Sequence, residues 1–362
     1  MKKNYSIFLI LLSFSIYSQN LNTIADSLRI KYKIPEIAFA IISLNSINEM
    51  QTLGFHKIES KKIDDEAKMN DYFHLGSNTK AITGFISAYL VEQNKISWQT
   101  KFFDLFPKLK KESNEAFYEI TLEDLLSHRA RIQPYTSGIE YQKLPEFVGT
   151  KSEKRKQFCE YLLKNEPLKL NDKAFNYSNA GYSIATSMLE KVTGKTWEEL
   201  VNIVLKQKLK LDYKLGWPNR FEINQPWGHW IENDTLKSLS PDTKYDLSLA
   251  EPAGDISMQL NDYAKFIQLN LIGLDGKDNF LRSSTYEYLH YGKKEYAIGW
   301  GNVNNDKRKI SEHAGSDGTF FCYTQIDKNK KKAYIIVVNC ATEEAQKGLF
   351  ELLKIMKKKY SS

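Results

Sequence analysis

Compact, β-rich apolar runs stand at both ends of this chain, and helical patterns fill most of what lies between them. Near the start, Ile37 to Leu44 reads Ile-Ala-Phe-Ala-Ile-Ile-Ser-Leu, and Gln51 to Phe55 answers it as the second strand of a hairpin. Near the end, Tyr296 to Trp300, Lys309 to His313, Phe320 to Ile326 and Ala333 to Val338 form a run of expected strands. This order implies an α/β (α+β) fold. One antiparallel sheet, flanked by helices, is formed by both chain ends, and an all-helical subdomain is inserted into it. The expected sheet subdomain covers about 21–80 and 280–362, and the helical insert about 81–279.

Within Ser77 to Gln93, Ile82, Phe85, Ile86, Tyr89 and Leu90 recur at helical spacing and predict a buried helix. Leu122 to Leu126, Glu153 to Lys164, Gly181 to Val192, Trp197 to Lys206 and Ile256 to Leu271 carry helical patterns too. Leu21 to Tyr32 and Glu343 to Lys359 read as amphipathic helices at the two ends. Gly216 to Leu249, rich in Trp, Pro, Asn and Asp, has no period and reads as a long ordered loop able to wall a site.

With 51 Lys and Arg against 44 Asp and Glu, the formal charge is +7, a total that would suit nucleic acid or an anionic membrane. Its distribution argues otherwise. Lys2 and Lys3 precede an apolar run from Ile7 to Tyr17 and then Ser18, Gln19 and Asn20, a secretory signal pattern with its cut near Ser18. The run is short for a membrane span of about 20 residues; a retained anchor is the alternative. Lys354, Lys357, Lys358 and Lys359 crowd the last helix, and the body of the chain is close to neutral. The expected mature chain, residues 19–362, is exported to the periplasm or the exterior, monomeric, and without a membrane span, nucleic-acid partner or cofactor.

Cys159, Cys322 and Cys340 contain no C-x-x-C pair, which leaves metal knuckles and thioredoxin-like chemistry unsupported. Cys322 and Cys340 can pair in an oxidising compartment or remain buried thiols. His56, His74, His128, His229 and His290 share no metal-ligand spacing, so no metal site is expected.

Ser77-Asn78-Thr79-Lys80 is the one Ser-x-x-Lys of the chain, a pattern that chance supplies about once or twice at this length. Spacing of three puts Ser77 and Lys80 side by side on a helix face. The extended Phe73-His74-Leu75-Gly76 before it sets Ser77 at the first turn, where free N–H groups favour developing negative charge. A serine hydroxyl needs a base, and a lysine desolvated against an apolar helix can serve as one. Tyr177-Ser178-Asn179, the only Tyr-x-Asn, lies in a polar turn before the Gly181 helix. Near a lysine ammonium, Tyr177 would be pushed toward phenolate and relay a proton, while Asn179 orients Lys80 or a substrate carbonyl. Alone, the turn reads equally as a helix cap. In His313-Ala314-Gly315-Ser316, Gly315 permits close backbone approach to a bound substrate, and the Ser316 N–H can join that of Ser77 as an oxyanion hole. No Gly-x-Ser-x-Gly elbow occurs, and Gly194-Lys195-Thr196 follows a helix without the earlier glycine of a phosphate loop.

In this order the three motifs resemble those of the penicillin-recognising serine hydrolases, specifically the class C β-lactamase and DD-peptidase branch with its esterase and aminopeptidase relatives. Leu125-Leu126-Ser127-His128, Glu251-Pro252-Ala253-Gly254 and Ile298-Gly299-Trp300-Gly301 are similar to further stretches of that family, and the likeness runs from about Leu21 to Tyr360. The resemblance implies that Ser77 is acylated, that Lys80 accepts its proton and that Tyr177 is the general acid/base. It implies further that Asn179 joins the hydrogen-bond network, that His313 stands where many members have lysine, and that Ser77 and Ser316 supply the oxyanion amides. Ala314 and Gly315 would face the substrate. The implied reaction is acyl transfer through a serine ester, then hydrolysis.

Departures from the pattern sharpen the expectation. Ala314 lacks the hydroxyl that members with Lys-Thr-Gly or His-Thr-Gly use for a substrate carboxylate, which favours another ester, amide or D-amino-acid peptide over penicillins and peptides ending in D-Ala-D-Ala. His313 would titrate near neutrality, so kcat/KM is expected to fall as pH rises through about 6.5–7.5. Arg129-Ala130-Arg131-Ile132 replaces the usual Thr-Ser-Gly continuation, offering two arginines to an anionic substrate or simply to solvent, and Asp255 stands where a second glycine is common. The alternatives are a β-lactamase or DD-carboxypeptidase proper, and a catalytically idle protein that binds cell-wall fragments or a partner.

Overall fold

The computed structural model describes residues 20–360, and the expected signal segment, residues 1–18, lies outside them. In chain order the strands are β1 (Glu36–Ser43), β2 (Ile47–Gly54), β3 (Tyr72–His74), β4 (Lys214–Leu215), β5 (His229–Glu232), β6 (Thr235–Ser238), β7 (Ile256–Gln259), β8 (Gly301–Asn304), β9 (Lys309–Ser316), β10 (Phe321–Asp327) and β11 (Lys332–Val338). Six of them form one antiparallel sheet in the order β2-β1-β11-β10-β9-β8. Phe39 pairs with Gln51 on one side and with Ile336 on the other, so the two ends of the chain do share a sheet.

Alternation along these strands divides the core. Ile37, Phe39, Ile41, Ile336 and Val338 pack with Leu21, Leu28, Leu349, Leu352 and Met356, which belong to the end helices Leu21–Lys31 and Glu343–Lys359. Ala38, Ala40, Ile42, Ile335 and Val337 point the other way, into the larger core shared with the middle of the chain. Cys322 belongs to the larger core and Cys340 to the smaller one. They lie in cores on opposite faces of the sheet, and all three cysteines are buried free thiols.

Residues 81–279 are mainly helical but not helical throughout. Ile256, expected to open a helix, instead opens β7, which pairs with β3 and β4 in a sheet of order β3-β7-β4, and the helix begins only at Leu260 (Leu260–Leu274). Both faces of this segment are buried, and a fully buried strand carries the same unbroken apolar run as a helix start. The unpatterned Gly216–Leu249 stretch contains the β5–β6 hairpin, whose turn residues Asn233 and Asp234 take φ of +48° and +58°, the conformation that Asn and Asp tolerate best after glycine. Tyr296–Trp300 is a turn closed by Ala297 N–H to Trp300 O at 2.8 Å, and the strand starts after it, at Gly301.

Candidate active site

β3 runs through Leu75 into a short 3-10 turn, Gly76–Asn78, and then into the buried helix Thr79–Glu92. Ser77 is thus one step ahead of the helix proper. Asn78 pins the turn: its Nδ2 donates to Leu75 O and Cys322 O, and its Oδ1 accepts from Tyr263 Oη. Lys80 Nζ, wholly buried, lies 3.0 Å from Ser77 Oγ, 2.7 Å from Asn179 Oδ1 and 2.9 Å from Ala253 O. Asn179 Nδ2 donates to Tyr135 O at 2.8 Å, which fixes the oxygen toward Lys80. Two of the three partners can only accept. A neutral amine has two N–H donors and one lone pair, so the lone pair is left facing the Ser77 hydroxyl. Desolvation drives the Lys80 pKa well below the usual lysine value, toward that neutral form.

Asn179 opens the helix Asn179–Thr193, and Ser178 caps it by accepting from Gly181 N at 3.0 Å. The polar turn is therefore cap and site together. The Tyr177 ring lies 4.7 Å from Lys80 Nζ. Burial raises the Tyr177 pKa, and a hydrogen bond with Ser77 offsets only part of that rise. The phenolate expected from the neighbouring lysine gives way to a protonated phenol, because burial penalises the charged form. His128 packs 4.3 Å from the Tyr177 ring, and its Nδ1 accepts from Ser178 N.

His313 corrects a second expectation. It is buried, its Nδ1 lies 2.9 Å from Ala314 O and its Nε2 lies 2.9 Å from Tyr296 Oη. Burial, then the neighbouring Lys80, push its pKa down to about 3. It is neutral across the physiological range, with Nδ1–H donating to the carbonyl and Nε2 accepting from Tyr296. The expected loss of activity through pH 6.5–7.5 does not follow from this residue.

The end of β9 and the Gly76–Asn78 turn interlock through two glycines. Gly76 has φ +52°, and a Cβ there would lie 2.4 Å from Ser316 N. A Cβ on Gly315 would lie 2.1 Å from Leu75 O and 2.7 Å from Ser77 N. Gly315 leaves room for the Gly76–Asn78 turn, and the contact brings the amides of Ser77 and Ser316 to one place. Ala314 and Ser316 are exposed. Ser77, Asn179 and Ser316 line a cleft of about 1040 Å³ whose walls include Tyr135, Tyr141, Leu144, Phe147 and Leu247, with Lys154, Lys244 and Asp246 adding charge.

Two neighbours, Arg155 and His74 with its carboxylates, had no sequence signature. Arg155, buried, bonds Glu190 and Glu198 at 2.8 Å each and lies 3.5 Å from Glu251, which opens the turn Glu251–Gly254 that presents Ala253 O to Lys80. Of the two arginines read from the sequence, Arg129 is half-buried and donates to the carbonyls of Ser127, Lys294 and Tyr296. Arg131 Nη2 donates to Ala116 O at 3.4 Å.

The second such neighbour is His74, buried and stacked on Trp217, with Nδ1 3.3 Å from Asp317 Oδ2 and Nε2 3.5 Å from Asp255 Oδ1. Burial would lower its pKa and Arg220 adds to that, but Asp317 first and then Asp255 outweigh both and raise it. A raised histidine pKa stabilises the fold below the unfolded value of about 6.5, and that contribution is lost as pH climbs through the folded value. We expect His74→Gln to lower Tm at mildly acidic pH, with the gap to wild type narrowing on the alkaline side. A gap independent of pH in thermal melts would contradict this.

A family model described as Beta-lactamase matches residues 21–354. Penicillin-binding protein 4 of Amycolatopsis lactamdurans is 22% identical over 323 residues, covering 83% of this chain and 80% of the relative. A teichoic acid D-alanine hydrolase of Staphylococcus aureus (strain MRSA252) is 25% identical over 230 residues, covering 63% of this chain but only 52% of the relative, so this chain matches about half of that protein's length. A class C β-lactamase from Rhodobacter sphaeroides has a similar fold, with a TM-score of 0.71 at 16% identity over 93% of this chain and 99% of that one.

Proposed function

The chain belongs to the β-lactamase family and is a serine hydrolase, and on that premise we propose that it is exported and cleaves a D-amino-acyl ester or amide of cell-wall type through an acyl-enzyme on Ser77. The observation that carries the reading is the set of contacts around Lys80 Nζ, which leaves its lone pair to the Ser77 hydroxyl.

In the first half-reaction Lys80 takes the Ser77 proton while Oγ bonds to the substrate carbonyl carbon. The oxyanion that forms is met by the amides of Ser77 and Ser316, donors of a kind worth about 10²–10³ each in kcat. Tyr177 gives its proton to the leaving oxygen or nitrogen as that bond breaks, and the Lys80 ammonium restores it. Water repeats the sequence on the Ser77 ester, giving the acid and free Ser77. His313 contributes no charge; it holds the end of β9 through Tyr296 and Ala314.

The D-alanine and penicillin-binding names of the relatives support a cell-wall substrate, and the aromatic and leucine-lined wall of the cleft supports an apolar portion in it. Penicillin turnover is the second reading, favoured by the fold shared with a class C β-lactamase. Ala314 and a neutral His313 weigh against it, since neither offers a hydroxyl or a cation to the penicillin carboxylate.

The test is a panel of p-nitrophenyl esters, D-amino-acid amides and nitrocefin, with a fluorophosphonate adduct mapped by mass spectrometry. Adduct on Ser77, turnover of the D-amino-acyl compounds and its loss in Ser77→Ala are expected, with nitrocefin slower by about 10²-fold or more. Absence of any Ser77 adduct together with no turnover of the panel would leave a binding protein as the better account, whereas turnover unchanged in Ser77→Ala would move the chemistry to another residue.

A further inference from the structure

Away from the cleft, Glu36, His56 and Asp71 converge from three separate places in the chain: the start of β1, the segment after β2 and the residue before β3. Glu36 and His56 are 0% exposed and Asp71 1%. One ligand atom from each lies within 4.8 Å of the others. His56 Nε2 and Asp71 Oδ2 are 2.9 Å apart and hydrogen-bonded to each other, a pair that an ion would part to the roughly 3.4 Å between tetrahedral ligands held at about 2.1 Å.

The remaining donor atoms are unmet. Among the described residues, Glu36 Oε1 and Oε2, Asp71 Oδ1 and His56 Nδ1 are buried with no hydrogen-bond donor to meet them, and the Glu36 carboxyl faces only that of Asp71. A buried carboxylate with both oxygens unpartnered is rare in folded proteins and calls for an occupant or a proton. The backbone around the cluster is rigidly braced. Asn339, just after β11, accepts from Glu36 N at 2.8 Å and donates through Nδ2 to His56 O at 3.1 Å, while Lys68 N donates to Asp71 Oδ2. Such bracing is what orients ligands in metal sites.

We propose that Glu36, His56 and Asp71 bind one divalent transition-metal ion, Zn²⁺ in preference to Mn²⁺, as a structural site. Two carboxylates and a neutral imidazole carry two negative charges, which a divalent ion neutralises. An imidazole among the ligands selects against Mg²⁺ and Ca²⁺. The ion would fasten the β1, β2 and β11 ends of the large sheet to the residue that leads through β3 into Ser77. It touches no reacting atom, so the site stands whether or not the proposed substrate is right.

The experiment uses the untagged full chain, purified with added ZnCl₂ or MnCl₂, desalted and measured for metal by plasma mass spectrometry, with Tm recorded before and after chelation. About one ion per chain is expected, with zinc retained over manganese, and Tm should fall on chelation and recover on re-addition. Glu36→Gln and His56→Gln should each lose the ion and the metal response of Tm. If those variants do not fold, the metal content and chelation response of wild type decide alone. Wild type without bound metal under both conditions overturns the proposal, as does retention of the ion in both variants. A Glu36→Gln protein as stable as metal-free wild type, with no ion bound by either, would identify a carboxyl pair sharing one proton.

Discussion

Lys80→Met is expected to lower kcat/KM by about 10²–10⁴-fold, the usual contribution of a positioned base, and to erase the acid limb of the pH profile. Methionine keeps the volume and the apolar stem but removes the lone pair that faces Ser77 Oγ at 3.0 Å. The sign follows from burial, which pulls the Lys80 pKa well below its ordinary value. Below that lowered pKa the amine is charged and cannot accept a proton; above it the base is free. Wild-type kcat/KM therefore rises with pH through the Lys80 pKa and then levels. No fall from Tyr177 follows until far into the alkaline range, because its own pKa is raised. A variant within about tenfold of wild type, or one that keeps the acid limb, would show that another group is the base. Circular dichroism separates this outcome from misfolding.

Gly315→Ala is the second large effect. The added Cβ would stand 2.1 Å from Leu75 O and 2.7 Å from Ser77 N, both backbone atoms that no rotamer change can move. β9 must part from the nucleophile turn, at a cost of about 1–3 kcal/mol or more for overpacking. The separation displaces the Ser316 amide from that of Ser77, and loss of one oxyanion donor costs about 10²–10³ in kcat. Gly194→Ala is the control. Its φ of +66° makes alanine strained, yet no atom lies within 4 Å of the new Cβ, so stability should fall by about 1 kcal/mol while kcat holds. Equal kcat losses in the two variants would refute the interlock. Stopped-assay kinetics alongside denaturant melts make the comparison.

Much of the architecture is legible in the chain because it rests on local periodicity. The amphipathic stretches at Leu21, Glu153, Gly181 and Glu343 all form helices, with ends displaced by at most a few residues. Ile256 and Tyr296 misled for opposite reasons: the first is a strand buried on both faces and so lacks alternation, and the second carries β-rich residues through a turn. The chemistry divides along a similar line. Ser77, Lys80, Tyr177 and Asn179 are visible as residue types at short spacing, and the structure brings all four together. Their protonation states are not visible, because burial sets them. His313 is driven to about 3 and Tyr177 upward by desolvation that only tertiary packing supplies. Clusters such as His74 with Asp255 and Asp317 join residues far apart in the chain and leave no spacing to recognise.

The place of β1 between β2 and β11 bears on how the chain reaches this state. Ile37 pairs with Val338 and Ser43 with Lys332, so the β1–β2 hairpin waits with one apolar edge open until nearly the whole polypeptide exists. Loop closure over that distance is slow, and the sheet of order β2-β1-β11-β10-β9-β8 should be among the last features to assemble. An unfinished chain therefore presents an open strand edge, prone to aggregation, during synthesis. Lys31 and Glu351, on the two end helices, meet at 3.1 Å, so joining the ends and reopening the chain within the insert would turn its longest-range pairing into a local one.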